Sequence, residues 1–185
     1  MPAIVFLAAG AGARMGEPKI LMRVHGEAWL SLQLRALSAV IDAVAIVVAS
    51  EDVAARVRAL APTALVTVNP DPSRGPFSSL LCGLSAIGAR ACFVSPIDVP
   101  VAAPSTFAAL LATGAPAAVP TYAGRGGHPV WLAEAFVRTA MAKDPARDRL
   151  DHVLHATAGV ARVDVDDARI TTNLNTPEDV AKFVG

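Results

Sequence analysis

The sequence predicts an α/β domain built on a mostly parallel mixed sheet with helices on both faces. Three observations carry this. Four short apolar runs of strand length recur through the first hundred residues. Apolar residues at helical spacing fall between them, and a glycine-rich loop follows the first run where a strand-to-helix turn belongs.

The elements follow in order. "AIVFLA" (Ala3–Ala8) is a continuous apolar run, as expected of a strand buried on both faces. After the loop, Leu30, Leu34, Leu37 and Ile41 recur at helical spacing. "AVAIVVAS" (Ala43–Ser50) is the second strand, and Ser50 can cap the next helix, which opens with Glu51 and Asp52. "ALVTV" (Ala64–Val68) is the third strand. The turn-rich "NPDPSRGP" leads into a helix bearing Leu80, Leu84 and Ile87. "ACFVSPIDVP" (Ala91–Pro100) begins as the fourth strand and ends in a polar tip. In the less regular second half, "PAAVPTY" and "HPVWL" flank "AGRGG", a turn suited to joining antiparallel strands. Helical stretches are expected around Glu134–Ala142 and Arg147–His155, and "VARVDVD" alternates like a half-exposed strand. Near the end, Thr176, Pro177, Glu178 and Asp179 read as an N-cap followed by a first-turn proline and first-turn acids.

Length and composition bound the function. A chain of 185 residues without an evident linker is expected to form a single domain over residues 1–185. A chain of that size buries roughly 70% of its unfolded surface, so it needs no staples. Hydrophobic residues make up 54% and charged residues 17%, a balance that leaves room for a weak homo-oligomer. Lys plus Arg and Asp plus Glu each total 16, and a neutral chain argues against nucleic acid as a partner. Cys82 and Cys92 sit in apolar company and form no CxxC pair, so they read as small hydrophobes and call for no oxidising compartment. The apolar N-terminal run lacks a preceding positive charge and is broken by glycines, unlike a signal peptide. Other apolar runs fall short of a membrane span. A cytoplasmic location with no membrane partner is the expectation.

The loop "LAAGAGARMGEPK" (Leu7–Lys19) carries the chemistry. The dinucleotide fingerprint GxGxxG fails: Gly10 and Gly12 match, but Met15 holds the third position and Ser50 closes the second strand without an acid. A Walker A loop needs Gly-Lys-Ser/Thr, which Lys19 lacks. A purely structural turn needs neither Arg14 nor Lys19. What fits is a triphosphate cradle. Gly10, Gly12 and Gly16 let backbone N–H groups approach, Arg14 can fork two phosphate oxygens, and Lys19 adds a mobile charge.

"LAAGAGARMGEPKIL" resembles the signature loop of the MobA-like nucleotidyltransferases, which include the molybdenum-cofactor cytidylyl- and guanylyltransferases. The resemblance recurs, in the family's order, in "GPFSSLLCGLSAI", "SPIDVP", "GGHPVWL" and "NLNTPEDV". It implies a Rossmann-like three-layer α/β/α sandwich of the nucleotide-diphospho-sugar transferase kind. It implies transfer of a nucleoside monophosphate from an NTP to a small phosphorylated acceptor, molybdopterin, with release of pyrophosphate and with Mg²⁺ as cofactor.

Candidate residues follow from both lines of reading. Arg14, Lys19 and Asp98 are the catalytic candidates. Asp98 ends the fourth strand, where open α/β sheets place ligands, and a carboxylate there suits a hard cation beside phosphates. Its plainer reading is a solvated loop aspartate. The resemblance makes it the metal-binding aspartate, with Asn175 as a second metal contact where the cytidylyl branch usually has aspartate. Asn173 and Asn175 can equally order the turn before Thr176. Leu7, Ala8, Ala9, Gly10, Gly12, Lys19, Gly75 and Ser79 are the nucleotide-binding candidates, Ser79 because the resemblance to cytidylyltransferases implies a nucleotide contact at its spacing. Ser79, with Ser78 beside it, can instead cap its helix. His128 reads as a structural histidine, His152 and His155 as an exposed face, and Trp29 and Trp131 as buried side chains that could alternatively stack on a large substrate. "LAAG", "SSL" and "GGHPV" lean to the cytidylyl branch and hence to CTP. Gly75–Pro76 and "NLNTPED" lean to the guanylyl branch.

Overall fold

The computed structural model describes residues 1–10 and 18–184. In chain order, strand β1 (Ala3–Leu7) precedes a 3-10 turn (Lys19–Leu21) and a small hairpin of β2 (Arg23–Val24) and β3 (Glu27–Ala28). Helix α1 (Trp29–Leu37), β4 (Ala43–Val48), α2 (Glu51–Leu60) and β5 (Leu65–Val68) follow. A 3-10 turn (Pro72–Arg74) leads into α3 (Pro76–Ala86), β6 (Cys92–Pro96) and α4 (Pro104–Ala112). Next come β7 (Ala117–Tyr122), β8 (Arg125–Gly126), β9 (Val130–Leu132), α5 (Glu134–Met141), α6 (Leu150–Ala156) and β10 (Ala161–Asp164). A last 3-10 turn (Ala168–Thr171) precedes α7 (Pro177–Val184).

The main sheet has the order β10-β7-β9-β6-β1-β4-β5, with β8 paired to β7. Its central and far strands are parallel: β1 with β4, β1 with β6, and β4 with β5. The short β9 runs antiparallel between β6 and β7, and β10 closes the other edge parallel to β7. This is the mixed, mostly parallel sheet of a three-layer α/β/α sandwich.

Strand β1 shows why its sequence is apolar throughout. Ile4 and Phe6 join one core with Trp29, Leu30, Val57, Phe107 and Leu110 from α1, α2 and α4. Ala3 and Val5 point to the opposite core with Phe77, Leu84, Phe136 and Val153 from α3, α5 and α6. On that second face α3 lies hard against the sheet: a Cβ on Gly83 would stand 2.2 Å from Val5 Cγ1 and 3.1 Å from Val47 Cγ2. Only glycine lets the helix approach this closely.

Local signals act as expected at several ends. Ser50 Oγ accepts the Val53 N–H at 3.4 Å at the start of α2. At α7, Thr176 Oγ1 accepts from Asp179 N at 3.1 Å while Asp179 Oδ2 accepts from Thr176 N at 2.9 Å, a reciprocal cap. Two elements go beyond the expected order. The β2–β3 hairpin turns over His25 and Gly26, both at positive φ. Helix α4 is capped from afar: the buried Asp167 accepts Ala103 N–H at 2.6 Å and the Thr106 hydroxyl at 3.1 Å. Among the described residues no helix is long and apolar enough to cross a membrane.

Candidate active site

Strands β1 and β6 are neighbours whose connections leave in opposite directions across the sheet. Their carboxyl ends therefore form the crevice where open α/β sheets take ligands. Leu7 and Pro96 are register partners there, and Ile97 N–H reaches back to the Leu7 carbonyl at 3.1 Å. A cavity of about 300 Å³ opens at this point. Leu7, Ala8, Ala9 and Gly10 form one wall, Gly75 and Ser79 a second, and Lys19 and Asp98 a third. The structure thus brings together eight of the sequence-selected residues. A Cβ on Gly10 would meet nothing within 4 Å among the described residues. Gly12, Arg14 and Gly16 lie outside the described residues.

The two walls that carry chemistry are built differently. Gly75 sits at φ 86°, a left-handed backbone that disfavours any side chain, and turns the chain into α3. Ser78, one turn into the helix, donates its hydroxyl to the Gly75 carbonyl at 2.8 Å. Ser79 is not a cap. Its oxygen accepts from Asn69 Nδ2 at 2.9 Å, and the residue faces the cavity while 5% exposed.

On the other wall, Lys19 Nζ donates to Asp98 Oδ2 at 2.8 Å and to Asn175 Oδ1 at 2.9 Å. The Lys19 and Asp98 side chains are 21% and 24% exposed. These residues come from three distant places in the chain, and the backbone holds them there. Leu174 N–H donates to the Asp98 carbonyl at 2.8 Å, and Asn175 N–H donates to Asp179 Oδ2 at 2.9 Å. The N–H of Asn175, then the Thr176 hydroxyl, hold the Asp179 carboxyl below its ordinary range. Asn175 thus has its backbone fixed and its amide oxygen turned to the same nitrogen as the Asp98 carboxylate. Two hard oxygens within 2.9 Å of one cationic atom fit a small divalent ion that takes its remaining ligands from phosphate and water. No group of three His, Cys, Asp or Glu side chains occurs among the described residues, so no all-protein cage is present there.

A second, larger cavity of about 680 Å³ adjoins the first and shares Leu7, Gly75, Pro76 and Pro96 with it. Its body is apolar, with Phe77, Val130 and Leu150 in the walls, and Arg74, Arg147 and Arg149 stand around it. His128 also lines it. Burial pushes the His128 ring pKa down, partly opposed by a Val94 backbone hydrogen bond and the Asp98 charge. The ring is held neutral, and its Nδ1 has no partner among the described residues. Sequence reasoning did not reach the three arginines or Asn69. Trp29 is a core residue, 2% exposed, whose indole N–H ties to the Ile97 carbonyl at 2.8 Å beside Asp98. Trp131 packs on Phe93 with ring centroids 5.0 Å apart.

An ammonium, a carboxylate and a cavity thus meet at the switch point of the sheet, where open α/β folds take ligands. The chain belongs to the MobA-like NTP transferase domain family, whose profile matches residues 4–162. That membership places it among the nucleotidyltransferases. Solved structures share the fold across nearly the whole chain. Rv0371c from Mycobacterium tuberculosis superposes with a TM-score of 0.78 at 21% identity, over 98% of this chain and 96% of that one. A nucleotidyl transferase from Methanothermobacter gives 0.77 at 21% identity, over 99% and 95%. Molybdopterin-guanine dinucleotide biosynthesis protein A from Archaeoglobus fulgidus gives 0.72 at 19% identity, over 97% and 95%. Rv0371c has also been solved in complex with manganese, in a structure matching at 0.67 and 20% identity over 88% and 87%. No curated protein matches the chain.

Proposed function

We propose that this chain is a Mg²⁺-dependent nucleotidyltransferase that moves a nucleoside monophosphate, CMP in preference to GMP, from its triphosphate to a phosphorylated acceptor, molybdopterin. The observation that carries the reading is the meeting of Lys19, Asp98 and Asn175 beside a cavity walled by the Leu7–Gly10 segment and by Ser79. The nucleotide lies in that cavity and the acceptor in the larger adjoining one, so that the acceptor phosphate oxygen faces the α-phosphorus across their shared wall.

An oxygen of the acceptor phosphate attacks the α-phosphorus and pyrophosphate leaves. The attacking oxygen already carries negative charge, so the site's work is alignment and charge neutralisation. Lys19 and Arg14 neutralise charge building on the transferring and leaving phosphates. Asp98 and Asn175 hold the divalent ion, which when bound would screen the phosphate oxygens from one another. The manganese bound by Rv0371c supports a divalent ion in such a site. The Archaeoglobus protein's part in molybdopterin-guanine dinucleotide biosynthesis supports the acceptor. Ala9 favours CTP, because the guanylyl branch usually has glycine at this place. Other readings are a sugar- or polyol-phosphate nucleotidyltransferase and, from a different class, a nucleotide-binding regulator without turnover. The solved neighbours include a 4-diphosphocytidyl-2C-methyl-D-erythritol synthase, which keeps the polyol reading in view.

Pyrophosphate release measured with CTP, GTP, ATP and UTP, each with Mg²⁺ and molybdopterin, tests the proposal. We expect release with CTP, abolished in Asp98→Ala. A strong preference for GTP overturns the choice of base. Nucleotide binding without pyrophosphate release from any phosphorylated acceptor favours the regulator.

A further inference from the structure

We propose that the outer edge of β10 is a docking surface for a second copy of this chain, the two β10 strands pairing antiparallel about a two-fold axis at Val163. The inference is independent of the reaction assigned to the site.

Strand β10 ends the sheet: β7 lies on one side of it and no described strand on the other. It sits four strands from β1, away from the candidate active site. Its register with β7 sets Arg162 beside Val119 and Asp164 beside Thr121. Just past the strand, the Val165 N–H donates to the Thr121 carbonyl at 2.9 Å, so the backbone of Val165 faces β7. Successive residues of an extended strand turn their backbone groups to opposite sides. Ala161 and Val163 therefore face β7 as well, and Arg162 and Asp164 each hold an N–H and a carbonyl towards the outer edge. Such an edge is a template for another strand.

The side chains select which strand. Ala161 and Val163 are half-buried and pack, with Val165, against the core that α1, α2 and α4 share. Arg162 and Asp164 stand on the opposite face of the strand and are exposed. Asp164 Oδ1 accepts the Thr121 hydroxyl at 3.4 Å, and a carboxylate has room for further donors. An edge guarded against pairing with itself would carry charges of one sign. Here the two charges are opposite and two residues apart, so the strand is complementary to its own reverse. With Val163 on the axis, Arg162 stands opposite Asp164 of the second copy, and Asp164 opposite its Arg162. These are the residues whose backbone groups point outwards, so each pair also exchanges two N–H···O bonds. The two Val163 residues meet as the closer, non-hydrogen-bonded pair. Moving the axis by one residue sets arginine against arginine or aspartate against aspartate, and directly opposed like charges are destabilising. One register is thereby selected, and the contact is isologous. The sheet then runs unbroken through both copies. The other edge is built differently: Arg58 Nη2 of α2 donates to the Val66 carbonyl of β5 at 3.4 Å, and β5 carries no charge to set a register.

The test is the solution mass of the full chain, by sedimentation equilibrium over a wide range of protein concentration at low and high salt. The wild type is expected to pass from monomer to dimer, and to associate less at high salt because exposed charges are screened. Arg162→Asp and Asp164→Arg each place two like-charge pairs across the axis and should weaken the dimer about 10- to 100-fold. Mixed in equal amounts, the two variants should associate with each other, because every cross-strand pair is again of opposite sign. The double variant Arg162→Asp/Asp164→Arg should dimerise like the wild type. Backbone amide exchange of the wild type needs no variant: the Arg162 and Asp164 amides should slow as the dimer forms, whereas the Val163 amide is protected by β7 at every concentration. A wild-type chain that stays monomeric overturns the proposal and leaves the edge to another partner. Association untouched by either single reversal, or not recovered on mixing, overturns it as well, and so does a dimer that forms without added protection at Arg162 and Asp164.

Discussion

Replacing Lys19 by methionine should make the free protein bind a divalent ion more tightly while it destroys turnover. Lys19 Nζ occupies both oxygens that are candidates to hold the metal, at 2.8 Å from Asp98 and 2.9 Å from Asn175. An ion entering without nucleotide must first break this contact. At 2.8 Å two unit charges attract by roughly 1.5 kcal/mol in water and roughly 6 kcal/mol at an effective dielectric near 20. The side chains are 21% and 24% exposed, and ion pairs open to solvent are worth at most about 1 kcal/mol. We take about 1 kcal/mol as the cost of displacing the ammonium, which corresponds to about fivefold in affinity. Mn²⁺ titration of the free protein, followed by the electron paramagnetic resonance signal of unbound Mn²⁺, should show Lys19→Met binding about fivefold tighter than wild type. Lys19→Arg keeps the charge and should show no such gain. Turnover with nucleotide and acceptor should fall by about 100-fold or more in Lys19→Met, the scale of one lost electrostatic stabiliser. Equal or weaker Mn²⁺ binding by Lys19→Met would refute the displacement, and intact turnover would remove Lys19 from the site.

Two further outcomes concern the scaffold. Gly83→Ala sets a Cβ 2.2 Å from Val5 Cγ1 and should cost about 1–3 kcal/mol of stability in urea unfolding, with Val5→Ala recovering part of the loss; additive losses would rule out this clash as the cause. His128 is neutral in the fold below the ordinary value of 6.5 at which the unfolded chain takes up a proton. In that window the unfolded state binds more protons, so stability falls as pH falls from 6.5, by at most about 1.4 kcal/mol per pH unit for this one group. Thermal midpoints between pH 5 and 7.5 should therefore drop less steeply in His128→Gln. The other three histidines are exposed, and an unchanged slope in the variant would assign the acid sensitivity elsewhere.

The parallel half of the sheet and part of the candidate site were legible in the sequence for one shared reason. Strands buried on both faces must be apolar, so β1, β4 and β6 announce themselves, and polar or glycine residues at their ends stand out. Gly10 and Asp98 stand out that way, while Leu7, Ala8, Ala9 and Ser79 were nucleotide candidates through the family resemblance, the helix start alone suggesting only a cap for Ser79. What escaped depends on contacts between distant residues. The periodicity of "PSTFAALLA" is blurred because α4 is apolar nearly all round, and its cap, Asp167, lies 64 residues from Ala103. Asn69 looked like one more turn residue in "NPDPSRGP", because nothing local shows that its amide reaches Ser78 and Ser79. His128 was legible as structural, while the orphaned Nδ1 and its place in the second cavity were not. Arg14 and Gly12 remain sequence-level candidates outside the described residues.

Lys19, Asp98 and Asn175 meet at one nitrogen but are 79 and 156 positions apart along the chain, counted from Lys19. A ribosome delivers them in that order. The parallel core of β1, β4 and β6 can assemble and Lys19 can find Asp98 while the remaining half of the sheet is still being made. The oxygen of Asn175, and the Asp179 carboxylate that fixes its backbone, arrive only with the start of α7. The candidate ion-holding pair is thus assembled from one residue of the parallel core and one from the last helix's entry. The nucleotide cavity needs none of that final stretch, whereas the second candidate oxygen for the ion waits on its docking.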